Sequence, residues 1–167
     1  SEGPSVTPYR LRQEEQLARF LEWKEAQGGW ELPTSLATLV HPHQQARIRW
    51  LQRHARGRIL ECGCNWGYVL AHVGGHVGVD VAPSSIELAR LLNPSLEFYV
   101  ADAQGLPFPN RSFNTVLLPE VLEHLEWPYE VSLAVSDATR VAGQRVLITI
   151  PDGRHDSDEA CCKKHRW

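Results

Sequence analysis

The sequence has no methionine and no long apolar stretch, and each absence narrows the possibilities. No apolar run approaches the roughly 20 residues that a transmembrane helix requires, and no signal-peptide pattern opens the chain. We therefore expect no membrane partner. Because the chain starts at Ser1 and contains no methionine, we expect its natural start to be missing or replaced.

The chain also has few cysteines and a small net charge. The formal net charge of −3 gives no reason to expect binding to nucleic acid. The four cysteines form two close pairs, Cys62 with Cys64 and Cys161 with Cys162. Neither spacing suits a disulfide within the pair or a zinc site, although a long-range disulfide stays open. We predict reduced thiols, a cytoplasmic location and no metal.

The chain has enough residues for one compact domain. Its 167 residues are 43% hydrophobic and 22% charged, which is typical of a globular protein. Apolar residues at helical spacing predict a helix over 9–27 and another from His43 to Ala55. The second helix carries a basic run, read either as a solvated face or as a contact for an anionic substrate; the solvated face is the preferred interpretation. The run comprises Arg47, Arg49, Arg53, Arg56 and Arg58.

From Arg58 onward, short apolar strands alternate with helices, which predicts βαβ units and a mostly parallel sheet with helices on both faces. Ser84 and Glu87 fit a capping box at the start of one helix. The predicted strands are Arg58–Glu61, His76–Asp80, Leu96–Ala101, Phe113–Leu118 and Arg145–Ile150. The predicted helices are Gly67–Val73, Ser84–Leu92 and Val121–Thr139. The fold class is α/β, with a helical extension or lid over 1–56, a core over 57–150 and a tail over 151–167.

Acidic residues close three successive predicted strands. Glu61 precedes a turn that contains Gly63 and Gly67, Asp80 follows 19 residues later, and Asp102 follows the third strand. Asp80 stands where a carboxylate accepts hydrogen bonds from ribose hydroxyls. Glu61 would repel a pyrophosphate but attract an ammonium group. The charges therefore favour adenosine joined to an amino-acid tail over a dinucleotide.

These motifs together resemble the class I S-adenosylmethionine-dependent methyltransferases of the small-molecule branch, which have a Rossmann-like fold. The segment Glu61–Gly67 is similar to the first motif of that family. Val77–Pro83 and Ala101–Phe108 are similar to its second-strand and third-strand motifs. Ser112–Val116 through Glu120–Leu125 resembles its fourth strand and the following helix. The resemblance implies S-adenosylmethionine as cofactor and S-adenosylhomocysteine as product.

The resemblance also implies roles for individual residues. Gly63, Cys64, Asn65 and Gly67 are expected along the methionine end, with Glu61 near its amino group, directly or through water. Cys64 is expected to act as a small packing residue. Asp80 is expected at the ribose with Val81 against the adenine, and Asp102 with the backbone of Ala103 at the adenine edge. Leu118, Pro119 and Glu120 are expected to flank the sulfonium and face the acceptor, which we expect to be a small molecule.

Catalysis leaves more than one interpretation open. Glu120 and His124 are the candidate catalytic residues, with His124 favoured as a structural group or a wall of the acceptor pocket. On one helix, Glu120, Glu123 and His124 would converge. That pattern also resembles the metal site of the small-RNA 2′-O-methyltransferases of the Hen family, with His155 or His165 as a further ligand. A cofactor-binding module without catalysis is another alternative.

The two ends of the chain carry further expectations. Tyr9 and Trp30 are candidates for a lid over the cofactor. The family's sheet ends with an antiparallel hairpin after the fifth strand, and the chain stops where that hairpin would begin. Arg145–Ile150 would then be an apolar sheet edge, and we predict a homodimer or another partner that covers it.

Overall fold

The computed structural model describes residues 42–151 and, in the preceding segment, Glu22 alone. The predictions for Tyr9, Trp30, His155, His165 and the second cysteine pair lie outside these residues. The helices are α1 (Pro42–His54), α2 (Tyr68–Val73), α3 (Pro83–Leu92) and α4 (Pro128–Val141), with a short 3₁₀ helix at Leu122–His124. The strands are β1 (Ile59–Cys62), β2 (Val77–Asp80), β3 (Glu97–Val100), β4 (Phe113–Pro119) and β5 (Ala142–Thr149).

The five strands form one parallel sheet in the order β3-β2-β1-β4-β5. This order belongs to the Rossmann-like arrangement, in which the chain turns outward from a central first strand in both directions. The predicted fold class is therefore confirmed. In such sheets ligands bind beyond the carboxyl ends of the strands, beside the central strand where the order reverses. Here that place lies at the ends of β1, β2 and β4.

Apolar side chains on both faces of the sheet hold the helices in place. Leu60 of β1 belongs to a buried cluster that includes Ala134 and Ala138 of α4. Its neighbour Ile59 belongs to another cluster, together with Ile48 of α1. Successive strand residues point to opposite faces, so adjacent residues of β1 anchor helices on opposite sides. The side of α1 that carries Ile48 is thereby fixed against the sheet.

The predicted helix Val121–Thr139 is wrong as a single element. The structure has a short 3₁₀ helix, a break, and then α4 from Pro128. Proline lacks an amide hydrogen and keeps the residue before it extended, and Trp127 has φ −122° and ψ 143°. Pro128 occupies the first helical position, which proline favours. Glu130 Oε2 accepts hydrogen bonds from the amides of Glu126 and Trp127 at 2.8 and 3.1 Å, which caps the helix.

The predicted capping box at Ser84 and Glu87 is also wrong. Helix α3 begins at Pro83, so the N-cap residue is Ala82, which offers no side-chain oxygen. Asp80 serves the helix start in its place, because its Oδ1 accepts a hydrogen bond from the Ala82 amide at 3.0 Å. The start of α3 is therefore coupled to the carboxyl end of β2.

Strand β5 begins at Ala142, three residues before the predicted start, because α4 ends at Val141 and leads directly into it. Within residues 42–151, β5 pairs with β4 on one side and with no strand on the other. A homodimer or partner that covers this edge stays a prediction. No helix in the described part of the chain is long and apolar enough to span a bilayer.

Candidate functional site

The bend that follows β1 is built from backbone that favours glycine. Gly63 and Gly67 have φ values of 68° and 83°, and Asn65 between them has 48°. A Cβ atom on Gly63 would lie 2.6 Å from Val121 Cγ2, and one on Gly67 would lie 2.7 Å from the ring of Phe98. Both positions therefore exclude larger residues by backbone angle and by space. Helix α2 after the bend has only six residues, so its dipole contributes little.

Asp80 ties this bend to the end of β2. Its Oδ2 accepts a hydrogen bond from the Asn65 amide at 2.8 Å, while Oδ1 serves Ala82. The Cys64 amide also donates to the Val79 carbonyl at 2.9 Å. Each carboxylate oxygen can accept a second hydrogen bond, so Asp80 retains acceptor capacity. Val81, the next residue, is 49% exposed and offers an apolar surface beside that carboxylate.

Asp102 lies two residues beyond β3, at the same edge of the sheet. Its side chain is exposed, and its Oδ1 accepts a hydrogen bond from the Gln104 amide at 2.9 Å. The Ala101 amide donates to the Asp80 carbonyl at 3.0 Å, which joins this segment to the end of β2. The side chain of Ala103 packs in the core, so only its backbone is available to a ligand.

The loop that contains Asp102 is held against α4 by two charged residues. Asp137 Oδ2 accepts a hydrogen bond from the Leu106 amide, and its Oδ1 accepts one from Arg140 Nε at 2.6 Å. Arg140 also donates to the carbonyls of Leu106 and Phe108 at 2.8 and 2.7 Å. The hydrogen bond from Arg140 lowers the pKa of the Asp137 carboxyl, although partial burial opposes the shift.

We expect Asp137→Ala to lower the free energy of unfolding by about 2 kcal/mol, because the Leu106 amide loses its acceptor. The lowered pKa of Asp137 implies a contribution to stability that is present at neutral pH and disappears as the pH falls through that pKa. Urea denaturation at pH 7 and pH 3 measures both effects. Glu87→Ala, at an exposed position of α3, is the control, and an equal loss in both variants would contradict the assignment.

Glu61 is the most deeply buried acid at this edge. It is 2% exposed, and its Oε2 has no hydrogen-bond partner in the part of the chain that the structure describes. Burial raises the pKa of its carboxyl well above the usual range, while the charge of Arg47 and a hydrogen bond from the Leu70 amide to the carboxylate oppose the shift. A buried acceptor oxygen without a donor lowers the stability of the folded protein. We therefore expect a bound ligand to supply a donor to this oxygen.

Arg47 is a candidate site residue that the sequence did not single out from the other arginines of the basic run. Arg49 and Arg53 are exposed, as a solvated face predicts, but Arg47 turns inward with 13% of its side chain exposed. Its guanidinium forms an ion pair with Glu120 and a hydrogen bond with Gln44 Oε1. Within residues 42–151 its buried Nε has no partner. Burial lowers its pKa, and the charges of Glu61 and Glu123 oppose the shift.

Cys64 lies in the bend as a small packing residue. It is 3% exposed, and a Cβ on Gly78 would lie 2.8 Å from its Sγ. Burial raises the pKa of the Cys64 thiol, as it does for Cys62 at the end of β1. Both thiols therefore stay protonated near neutral pH and are poor nucleophiles.

The end of β4 differs in part from the expectation. The side chain of Leu118 is completely buried in the core and does not face the sheet edge, so only its backbone can flank a ligand. Pro119 is also buried and aligns with Thr149 of β5. Glu120 has a φ of 53°, and its amide donates to the Thr149 carbonyl at 2.8 Å. The chain thus turns sharply at Glu120.

Because of this turn, Glu120 does not share a helix with Glu123 and His124. Glu120 precedes the 3₁₀ helix and directs its carboxylate to Arg47, whereas Glu123 and His124 lie within that helix and are exposed. The α-helix that was expected to carry all three is therefore wrong, although Glu120 and Glu123 both act on Arg47. Across the described ranges, no three His, Cys, Asp or Glu side chains are grouped to hold a metal ion.

Comparisons with known proteins cover the same segment of the chain. The protein family described as "Methyltransferase domain" matches residues 60–148. The mitochondrial ubiquinone biosynthesis O-methyltransferase of Schizosaccharomyces pombe is 33% identical over 130 residues, which are 67% of this chain and 47% of that protein. The ubiquinone biosynthesis O-methyltransferase of Aromatoleum aromaticum is 27% identical over 145 residues, 80% of this chain and 62% of that protein.

A solved structure shows the same fold. The PH0226 protein from Pyrococcus horikoshii superimposes with a TM-score of 0.56 at 26% sequence identity, over 65% of this chain and 58% of that chain. This chain spans about half of the length of the curated relatives named above. The matched segment, residues 60–148, contains the strand ends that carry Glu61, Asp80 and Asp102.

Proposed function

This chain belongs to the methyltransferase domain family, and from that membership we propose that it binds S-adenosylmethionine and transfers the methyl group to a small-molecule acceptor. S-adenosylhomocysteine would be the product. The main support for this proposal is a pair of buried polar atoms near the carboxyl ends of the strands, which belong to one acidic and one basic side chain. One is Glu61 Oε2 and the other is Arg47 Nε, and each lacks a hydrogen-bond partner in the described residues.

These two atoms fit the amino-acid end of the cofactor. An α-amino acid group carries an ammonium and a carboxylate on neighbouring atoms. Glu61 would accept hydrogen bonds from the ammonium, and Arg47 would donate to the carboxylate. A bound ammonium would favour the ionised form of Glu61, whereas a pyrophosphate would disfavour that form, so a dinucleotide is disfavoured.

The other strand ends fit the adenosine part of the cofactor. Asp80 retains acceptor capacity for ribose hydroxyls, as acids at the end of the second strand do in Rossmann-like folds. The exposed side chain of Val81 would lie against one face of the adenine. Asp102 and the backbone of Ala103 would contact the adenine edge. The glycine bend with Gly63, Cys64, Asn65 and Gly67 would lie along the methionine chain.

In this proposal the residues of the chain act mainly by positioning. When bound, S-adenosylmethionine supplies an activated methyl group and a neutral thioether leaving group. Glu61 and Arg47 would fix one end of the cofactor and Asp80 the other, which holds the reacting carbon in one place. Pro119 and the backbone of Leu118 would exclude water from one side of the reacting carbon, because both residues are buried.

A general base is needed only where the acceptor holds its proton firmly. Glu120 is poorly suited to that role, because its carboxylate already forms an ion pair with Arg47. His124 as a wall of the acceptor pocket, or as a base, stays a prediction. The names of the two curated relatives favour a hydroxyl acceptor. A cytoplasmic location and a homodimer also stay predictions.

Calorimetry with S-adenosylmethionine, S-adenosylhomocysteine and NAD tests the proposal. We expect both sulfur compounds to bind at one site and NAD to give no heat at the same concentrations. A screen of phenols, amines and thiols with a labelled methyl donor then tests transfer, and we expect labelled product from a phenol. No binding of either sulfur compound, or tighter binding of NAD, would contradict the cofactor assignment. Binding without transfer to any acceptor would favour a non-catalytic module.

A further inference from the structure

The contact between α1 and the end of β4 indicates a role for Glu120 other than chemistry. Glu120 is held in a left-handed conformation with φ 53°, which is strained for a residue with a side chain. The hydrogen bond from its amide to the Thr149 carbonyl fixes that turn. The turn directs the carboxylate of Glu120 to Arg47, which lies on a different element of the fold.

Arg47 faces more than one carboxylate. Glu120 forms an ion pair with its guanidinium, whereas Glu61 and Glu123 act on it through charge. A guanidinium carries five N–H donors and pairs readily with any carboxylate in reach. If Glu120 did not hold Arg47, the buried and unpartnered oxygen of Glu61 would be the strongest competitor for it.

We propose that Glu120 is a positioning residue that keeps Arg47 from forming a hydrogen bond with Glu61 Oε2, so that Arg47 takes the carboxylate of the cofactor and Glu61 Oε2 stays available to the ammonium. This inference rests on the proposed function, because it assumes that the amino-acid end of S-adenosylmethionine lies between these residues. Loss of the Glu120 charge turns Arg47 toward Glu61, and both contacts to the amino-acid end weaken together.

The test compares two ligands that share adenosine and differ in the tail. S-adenosylhomocysteine has the amino-acid group, and 5′-methylthioadenosine lacks it. We expect Glu120→Gln to weaken S-adenosylhomocysteine binding about tenfold and to change methylthioadenosine binding less than twofold. Glutamine keeps the shape and the backbone angle of the position. Glu126→Gln, an exposed acid in the following loop, is the matched control and should change neither affinity.

Two further variants test whether Glu120 acts by its charge and through Arg47. Glu120→Asp retains the charge on a shorter side chain and should recover part of the lost affinity. Adding Glu120→Gln to Arg47→Gln should cost nothing beyond Arg47→Gln alone, because Glu120 acts through Arg47.

Two outcomes would overturn the inference. One is equal weakening of both ligands in Glu120→Gln. The other is unchanged S-adenosylhomocysteine affinity, which together with reduced turnover would make Glu120 a base. If the wild-type protein binds no S-adenosylhomocysteine, the proposed function itself has failed.

Discussion

Replacing Glu61 with glutamine is expected to weaken S-adenosylmethionine binding by about 100-fold, which corresponds to about 2.7 kcal/mol. Glutamine keeps the length of the side chain but removes the charge that would face the ammonium. Its amide group also presents a donor where the cofactor presents donors. Because Glu61 is 2% exposed, water cannot compensate for the lost contact. Calorimetry with both proteins measures the difference.

The same substitution should not destabilise the cofactor-free protein at neutral pH. Burial raises the pKa of Glu61 in the folded state above its value in the unfolded chain. An acid with a raised folded pKa binds its proton more tightly when folded, so its contribution to stability falls as the pH rises from the ordinary carboxyl range to the raised value. Glutamine has no such proton.

We therefore expect the unfolding free energy of Glu61→Gln, relative to wild type, to increase from pH 5 to pH 8. Urea denaturation across that range measures it, with Glu87→Gln as the exposed control. A variant that binds the cofactor as tightly as wild type would contradict the site. A variant whose relative stability falls with rising pH would contradict the raised pKa.

Replacing Asp80 with alanine is expected to abolish detectable binding, with a loss of 100-fold or more in affinity, on the order of 3 kcal/mol. Alanine would remove the acceptor for ribose hydroxyls and also the oxygens that hold the amides of Asn65 and Ala82. The bend after β1 and the start of α3 would both lose an anchor. We expect the unfolding free energy to fall by about 2 kcal/mol as well.

Asp80→Asn separates the two roles of the residue. Its amide oxygen can accept one of the two backbone hydrogen bonds, so we expect an affinity between those of alanine and wild type. Calorimetry at equal protein concentration ranks the three proteins, and circular dichroism checks that each is folded. Asp80→Ala that is folded and binds S-adenosylmethionine as well as wild type does would show that the ribose lies elsewhere.

The sheet was predictable because its strands are short apolar runs that end in recognisable residues. The runs that became β1 and β2 have four residues each, and each ends at or beside an acid that closes the strand. Glycine marks the intervening bend, since Gly63 and Gly67 occupy positive φ angles. Local preference and tertiary pairing agree in these segments, so pattern alone identified them.

The segment after β4 was not predictable in the same way. A continuous helix over Val121–Thr139 satisfied the apolar spacing, but Pro128 sets the actual start of α4. The left-handed angle at Glu120 depends on its hydrogen bond to Thr149 on a different strand. Glutamate rarely adopts a positive φ, so the residue type at position 120 gave no local signal of this turn.

Arg47 was missed for a related reason. It stands in a run of arginines on one helix, and spacing alone does not tell which of them turns inward. The packing of Ile48 and Leu51 against the sheet fixes the rotation of α1. That rotation, which is a property of the tertiary structure, brings Arg47 to the acids at the strand ends. The spacing of Glu120, Glu123 and His124 assumed one helix, whereas the chain has a left-handed turn at Glu120.

In the proposed site, acids at the ends of β1, β2 and β3 select an adenosyl amino acid around the glycine bend. A crystal structure of this chain with S-adenosylhomocysteine tests it most directly. We expect ribose hydroxyls on Asp80, the adenine edge near Asp102, and the amino-acid group between Glu61 and Arg47. A ligand bound away from these strand ends, or with its carboxylate against Glu61, would contradict it.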